Sequence, residues 1–157
     1  MRAVAGRRRA LFLDWGGTLV VTRDNRTVVD AEGRPTLMPN VAERLAEERP
    51  RFETCFIVSN QARVSRGEIS ETEVVRRFVW ANERLGRPFA DWRLCPHGDE
   101  HGCACRKPQP GMFLDLARAW DVDLAGSTHV GDSPKDRDAA RAAGVGSFVW
   151  ARDFFGW

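Results

Sequence analysis

The feature that most constrains this chain is a set of short apolar runs, each stopping abruptly at a polar residue. Ala10-Leu11-Phe12-Leu13 runs into Asp14, Cys55-Phe56-Ile57-Val58 into Ser59-Asn60-Gln61, and Thr128-His129-Val130-Gly131 into Asp132. Trp92 to Cys95 and Ser147 to Trp150 read as two further short strands. None approaches the ~20 residues of a membrane helix. Segments of helical period separate the runs, and this alternation predicts a parallel sheet with crossover helices. Asn40 to Glu48 places Val41 and Leu45 one turn apart. Ser70 with Glu73 predicts a capping box for a helix presenting Val74, Phe78, Ala81 and Leu85 on one face. Pro110 opens a helix bearing Phe113, Leu116, Ala117 and Trp120, and Gly144 stops another over Pro134 to Ala143. Residues 15–38 read as a loop with a small hairpin at Val28-Val29.

At 157 residues the chain suits one domain, 1–157, with residues 1–9 as a flexible, Arg-rich arm. A net charge of +2 is too small to make nucleic acid the expected partner. Asp14 interrupts the first apolar run too early for a signal-peptide core, which predicts a cytoplasmic protein with no membrane association. A monomer is expected. Only two of the 24 basic residues are lysine, Lys107 and Lys135.

In an open α/β sheet, ligands bind beyond the carboxyl ends of the strands. The residues there are Asp14, Ser59-Asn60-Gln61, and Asp132 with Asp136. Two aspartates at different strand ends beside glycine-rich turns suit a Mg²⁺ ion with phosphate oxygens completing its shell. Phosphoryl charge also calls for a cation, and Arg106 and Lys107 are the candidates. Asp14-Trp15-Gly16-Gly17-Thr18-Leu19, Ser59, Lys107 and Gly131-Asp132-Ser133-Pro134-Lys135-Asp136 occur in that order. As a set they resemble the haloacid dehalogenase (HAD) superfamily. Asn60-Gln61 with Arg66-Gly67, and the segment from Cys95 to Met112, resemble its zinc-containing branch, which includes heptose-bisphosphate and histidinol-phosphate phosphatases.

Cys95, His97, Cys103 and Cys105 follow the spacing C-x-H-x₅-C-x-C. Three thiolates and an imidazole make a closed tetrahedral Zn²⁺ set, hence a structural site. The loop between them is polar and has no core of its own, so metal binding would fold it. His101 is a rival ligand within the same loop, and the family pattern favours His97. Cys55 reads as a buried small side chain.

The resemblance implies a three-layer, Rossmann-like α/β fold without a cap domain, its zinc loop walling the site. It also implies that Asp14 attacks phosphorus and forms an aspartyl-phosphate. Mg²⁺ would bind Asp14, the carbonyl of Gly16, and Asp132, with Asp136 in support. Gly17, Thr18, Ser59, Asn60, Arg106 and Lys107 would hold phosphate or substrate, a small sugar or polyol phosphate. Phosphatases of the superfamily carry a second aspartate two residues after the nucleophile as general acid and base. Here that residue is Gly16. Four outcomes are open: a specialised phosphatase using another group such as His101, a phosphonatase, a phosphotransferase, or a phosphate-ligand-binding protein without turnover. The lack of a spare lysine weighs against the phosphonatase.

Overall fold

The computed structural model describes residues 7–157. In chain order the elements are β1 (Ala10–Leu13), β2 (Thr22–Arg23), β3 (Arg26–Thr27), α1 (Val41–Glu48), β4 (Thr54–Asn60) and α2 (Glu71–Arg84). They continue with β5 (Asp91–Cys95), α3 (Gly111–Trp120), β6 (Thr128–Gly131), α4 (Pro134–Ala143), β7 (Ser147–Trp150) and α5 (Ala151–Phe155). Five strands form one parallel sheet in the order β5-β4-β1-β6-β7, with Leu13 beside Ile57 on one side and Val130 on the other.

That order places the site. The chain leaves β1 for β4 and β5 on one side, then returns to β6 and β7 on the other. Connections on the two sides of β1 diverge, and a crevice opens at its carboxyl end. Side chains alternate across the sheet. Leu11, Leu13, Cys55 and Ile57 pack with Val41, Leu45, Val74, Phe78 and Phe155, under α1, α2 and α5. Ala10, Phe12, Phe56 and Val58 pack with Phe113, Leu116, Ala139 and Ala140, under α3 and α4. The result is a three-layer α/β HAD fold. Among the described residues no helix is long and apolar enough to cross a membrane.

Two local expectations need correction, and one is extended. The small hairpin at Val28-Val29 forms, with Val29 in an antiparallel bridge to Pro35, and a second hairpin pairs Thr22-Arg23 with Arg26-Thr27. Its turn residues Asp24 and Asn25 have φ of 53° and 60°, the left-handed pair that matches strand twist in a two-residue hairpin. Residues 7–9 are not a free arm. Arg8 exchanges backbone bonds with Asp121 and Asp123, and the Arg9 carbonyl accepts from the Glu53 N–H while its N–H donates to the Glu53 carboxylate; the rest of the expected arm, 1–6, lies outside the described residues. The Ser70 cap forms only by half. Its hydroxyl accepts from the Glu73 N–H at 3.0 Å, while the Glu73 carboxylate pairs with Arg76 and Arg77.

Ser127 ties the start of β1 to the turn before β6. Its buried hydroxyl accepts from the Ala10 N–H at 2.8 Å and donates to the Asp123 carbonyl at 2.6 Å. Ser127→Ala leaves that N–H unpaired in the interior, which costs about 1–3 kcal/mol. Urea unfolding should show this as a lowered midpoint with an unchanged slope.

Candidate active site

At the carboxyl end of β1, one ammonium organises the site. Lys107 is 2% exposed. It donates to Asp14 Oδ1 at 2.8 Å, to the Val58 carbonyl at 3.0 Å and to Asp136 Oδ1 at 2.6 Å. Burial works against its charge, but Asp14 and Asp136 hold its pKa above the ordinary lysine value. The two carboxylates fare differently. Burial also opposes ionisation of Asp136, but Lys107 and then His129 hold it well below the usual range. Burial pushes Asp14 up, Lys107 pulls it back, and Asp136 and Asp132 push again, leaving its carboxyl at about 7.

Asp136 is a positioning residue. Its Oδ2 accepts from the N–H groups of Asp132 and Ser133 and from the Ser133 hydroxyl, each at 3.1 Å. With Oδ1 on Lys107, both oxygens are engaged at the start of α4. Asp14 and Asp132 therefore keep the free acceptor capacity of the cluster. The three carboxylates offer oxygens within 4.8 Å of one another. Against one ammonium, that donor set leaves negative charge uncompensated and fits a divalent cation such as Mg²⁺. Gly17 makes the close approach possible. Its φ is +76°, and a β-carbon there would lie 2.1 Å from Asp132 Oδ2.

The structure spreads the sequence-predicted contacts over different tasks. Ser59 lines the cavity, and its hydroxyl accepts from Gln61 Nε2 at 2.9 Å. Asn60 clamps Lys107, accepting from its N–H at 2.9 Å and donating to its carbonyl at 3.1 Å. Gly17 and Thr18 do not line the cavity. Their N–H groups are taken within the turn by Val20 and Trp15 carbonyls, and the Thr18 side chain is fully buried. Trp15 and Gly16 do line it, and no intramolecular acceptor takes their N–H groups among the described residues. Trp15 packs edge-on against Phe78 at 4.7 Å and donates to Thr27, which moors the β2–β3 hairpin beside the site.

The cavity is about 440 Å³, with Arg63, Arg66, Arg77, Arg106 and Lys135 around it. Arg77 carries no signal in sequence, since it reads as one more charge on a solvated helix face. His129 is a buried core histidine, as its place in a strand suggests. Its Nδ1 lies 3.0 Å from the Phe12 carbonyl, while its Nε2 comes within 3.5 Å of Asp136. His101 does not line the cavity.

Cys95, His97, Cys103 and Cys105 converge, each offering a ligand atom within 4.8 Å of the others, and all four cysteines of the chain are free. Burial opposes ionisation of Cys103, but the Arg106 N–H and the neighbouring thiols bring it down to about 6. A soft, partly ionised Cys₃His set fits zinc. His101 stays outside it, accepting from the Gly98 N–H at 3.0 Å. The cluster is coupled to the cavity through Arg106, which donates to Asp99 at 2.7 Å and to the His97 carbonyl at 3.2 Å. Gly111 permits the packing behind it, because a β-carbon would meet the Ala104 carbonyl at 2.3 Å.

A parallel sheet whose central strand delivers an aspartate to a buried lysine and two more aspartates defines a phosphoryl-transfer hydrolase of the HAD superfamily. Residues 9–145 match the model of the polynucleotide kinase 3 phosphatase family, and the chain belongs to that family of HAD phosphatases. It is 39% identical to a D-glycero-beta-D-manno-heptose-1,7-bisphosphate 7-phosphatase of Rhodopseudomonas palustris, covering 94% of this chain and 86% of the relative. It is 34% identical to the corresponding enzyme for the alpha anomer from Burkholderia mallei, covering 90% and 78%. The Bordetella bronchiseptica heptose-bisphosphate phosphatase, solved with magnesium and phosphate, superposes with a TM-score of 0.77 at 31% identity, over 88% of this chain and 78% of that one.

Removing the ammonium should expose its structural weight. Lys107→Met leaves two buried carboxylates facing each other, and breaking a buried pair this way costs about 3–5 kcal/mol. Chemical denaturation of the metal-free protein measures it. A loss under 1 kcal/mol would mean the carboxylates need no cation.

Proposed function

We propose that this protein is a Mg²⁺-dependent phosphomonoester hydrolase acting on a small sugar or polyol phosphate through phospho-Asp14. The observation that carries the reading is the buried Asp14–Lys107–Asp136 cluster lining a cation-rich cavity. The heptose-bisphosphate substrates named for its relatives support the substrate class.

Asp14 and Asp132, with the carbonyl of Gly16, would hold the magnesium ion, which offsets phosphoryl charge when bound. The chain's own groups do the rest. An Asp14 carboxylate oxygen forms the new bond to phosphorus as the ester P–O bond breaks. Lys107 keeps Asp14 aimed and adds positive charge. The N–H groups of Trp15 and Gly16 and the Ser59 hydroxyl would receive the phosphoryl oxygens. Arg106 and the rim arginines would hold the hydroxyl-rich or anionic remainder. Water then attacks phosphorus and frees Asp14. The Cys₃His cluster would carry one structural Zn²⁺, which keeps Arg106 in place through the His97 carbonyl and Asp99.

One observation favours a second reading, a phosphate-ligand-binding protein without turnover. Position 16 has no side chain, and the Thr22 methyl stands 2.9 Å from where a β-carbon would be. Mg²⁺-dependent phosphate release from a panel of sugar phosphates separates the two. Turnover that Asp14→Asn abolishes is expected. Equal activity in that variant would remove Asp14 as nucleophile. A wild type inert on every substrate that still binds inorganic phosphate would establish the second reading.

For zinc, elemental analysis should find about one ion per chain. Stripping it with a thiol-competing chelator in excess Mg²⁺ should lower the unfolding temperature and weaken substrate binding. A metal-free preparation of unchanged stability would rule out the structural role.

A further inference from the structure

The cavity is rich in groups that hold a phosphoryl group and lacks one placed to move a proton. The chain contains no tyrosine. Of its three histidines, His97 belongs to the thiol cluster, His129 is sealed in the core and His101 does not line the cavity. Among the described residues no cysteine or glutamate lines it either, and its only aspartates are Asp14, Asp132 and Asp136. Asp14 is the attacking group, Asp136 has both oxygens engaged, and Asp132 is the carboxylate that would hold the cation together with Asp14. Arginines hold their protons too tightly to serve. Lys135 is the one remaining amine, and it sits 3.8 Å from Asp99. Position 16, in the turn just past Asp14, is glycine, with the Thr22 methyl 2.9 Å from where a side chain would start.

We propose that this site takes phosphoryl groups from donors whose leaving group departs as a stable anion, namely acyl, enol or aryl phosphates, and stores them as a long-lived phospho-Asp14. This rests on the phospho-Asp14 reading above and adds donors outside its sugar-phosphate class, which the site would turn over faster. In the first step an Asp14 oxygen bonds to phosphorus, the bond from phosphorus to the leaving oxygen breaks, and its electron pair departs with that oxygen. A carboxylate or phenolate leaves without a proton. A sugar alkoxide needs one, and the missing general acid costs about 10²–10⁴ in rate. In the second step water bonds to phosphorus, the Asp14–phosphorus bond breaks, and the water proton passes to solvent with no protein base to take it. That step slows too, and the phosphorylated protein accumulates.

The test uses the full chain with Mg²⁺. Acetyl phosphate should yield a species one phosphoryl group heavier by intact mass, cleaved by hydroxylamine and absent in Asp14→Asn. Across a series of aryl phosphates kcat/KM should fall steeply as leaving-group pKa rises. Gly16→Asp combined with Thr22→Ala should raise sugar-phosphate turnover by about 10²–10⁴-fold and shorten the lifetime of phospho-Asp14. An Asp14-dependent turnover indifferent to leaving-group pKa overturns this inference and leaves the phosphatase reading standing. A shallow dependence that steepens in Lys135→Gln also overturns it, by identifying that amine as the proton donor. No phosphorylation of Asp14 from any donor overturns both.

Discussion

The Lys107 ammonium is the constraint on which the rest of the site depends. Its three acceptors come from the residue after β1, the body of β4 and the first turn of α4. A charge buried this far is tolerable only when each of its protons has a partner. The sheet register, the cap of α4 and the Asn60 clamp on the Lys107 backbone must therefore all be right together. Satisfying that one group orders Asp14 from behind. The same arrangement leaves three carboxylates against one ammonium, and the charge imbalance falls on Asp14 and Asp132 because Asp136 is already saturated.

The thiol–imidazole cluster extends this order outward. It follows β5 and precedes Lys107, so the segment reaching from one sheet edge to the site is pinned at both ends. Arg106 joins the two. It is adjacent to Lys107 in sequence, and Asp99 and the His97 carbonyl hold its guanidinium. A polar loop with no apolar core of its own cannot hold an arginine still, whereas one closed on a zinc ion by these four ligands would. The cation nearest the buried lysine in sequence thus depends on ligands on the far side of the loop.

The middle of the sheet was legible because β1, β4 and β6 are short runs ended by a polar residue, and that polarity break falls at the strand's carboxyl end. Asp14, Ser59 and Asp132 could be placed together from that fact alone. The β2–β3 hairpin has no signal beyond the turn-prone Asp24-Asn25 pair, because its strands are two residues long and polar. α5 is too short for a helical period to show. The resemblance gives Gly17 and Thr18 to phosphate because they follow Asp14, but the Trp15–Val20 turn closes on itself and consumes their N–H groups. Asn60 and Arg77 illustrate the remaining limit. Their roles depend on contacts reaching across the fold, from Asn60 to residue 107 and from α2 to the cavity rim, and no local pattern encodes those.

The scarcity of lysine acquires a geometric reason. Most basic positions here accept arginine because they lie at the surface, where a guanidinium fork pairs with carboxylates as readily as an ammonium does. Position 107 cannot. Its acceptors converge within 2.6–3.0 Å on a point that is nearly sealed from solvent. A compact ammonium directs three donors from one atom toward three acceptors, whereas a planar guanidinium spreads five donors over an area too wide for that space. Drift toward arginine, whatever drives it, stops where the acceptors meet at a point. Space also decides position 16, where the Thr22 methyl occupies the place a side chain would start. Holding a phosphoryl group and handling a proton are separate tasks with separate residues, and in this chain the first set is assembled while the position beside Asp14 carries no side chain for the second.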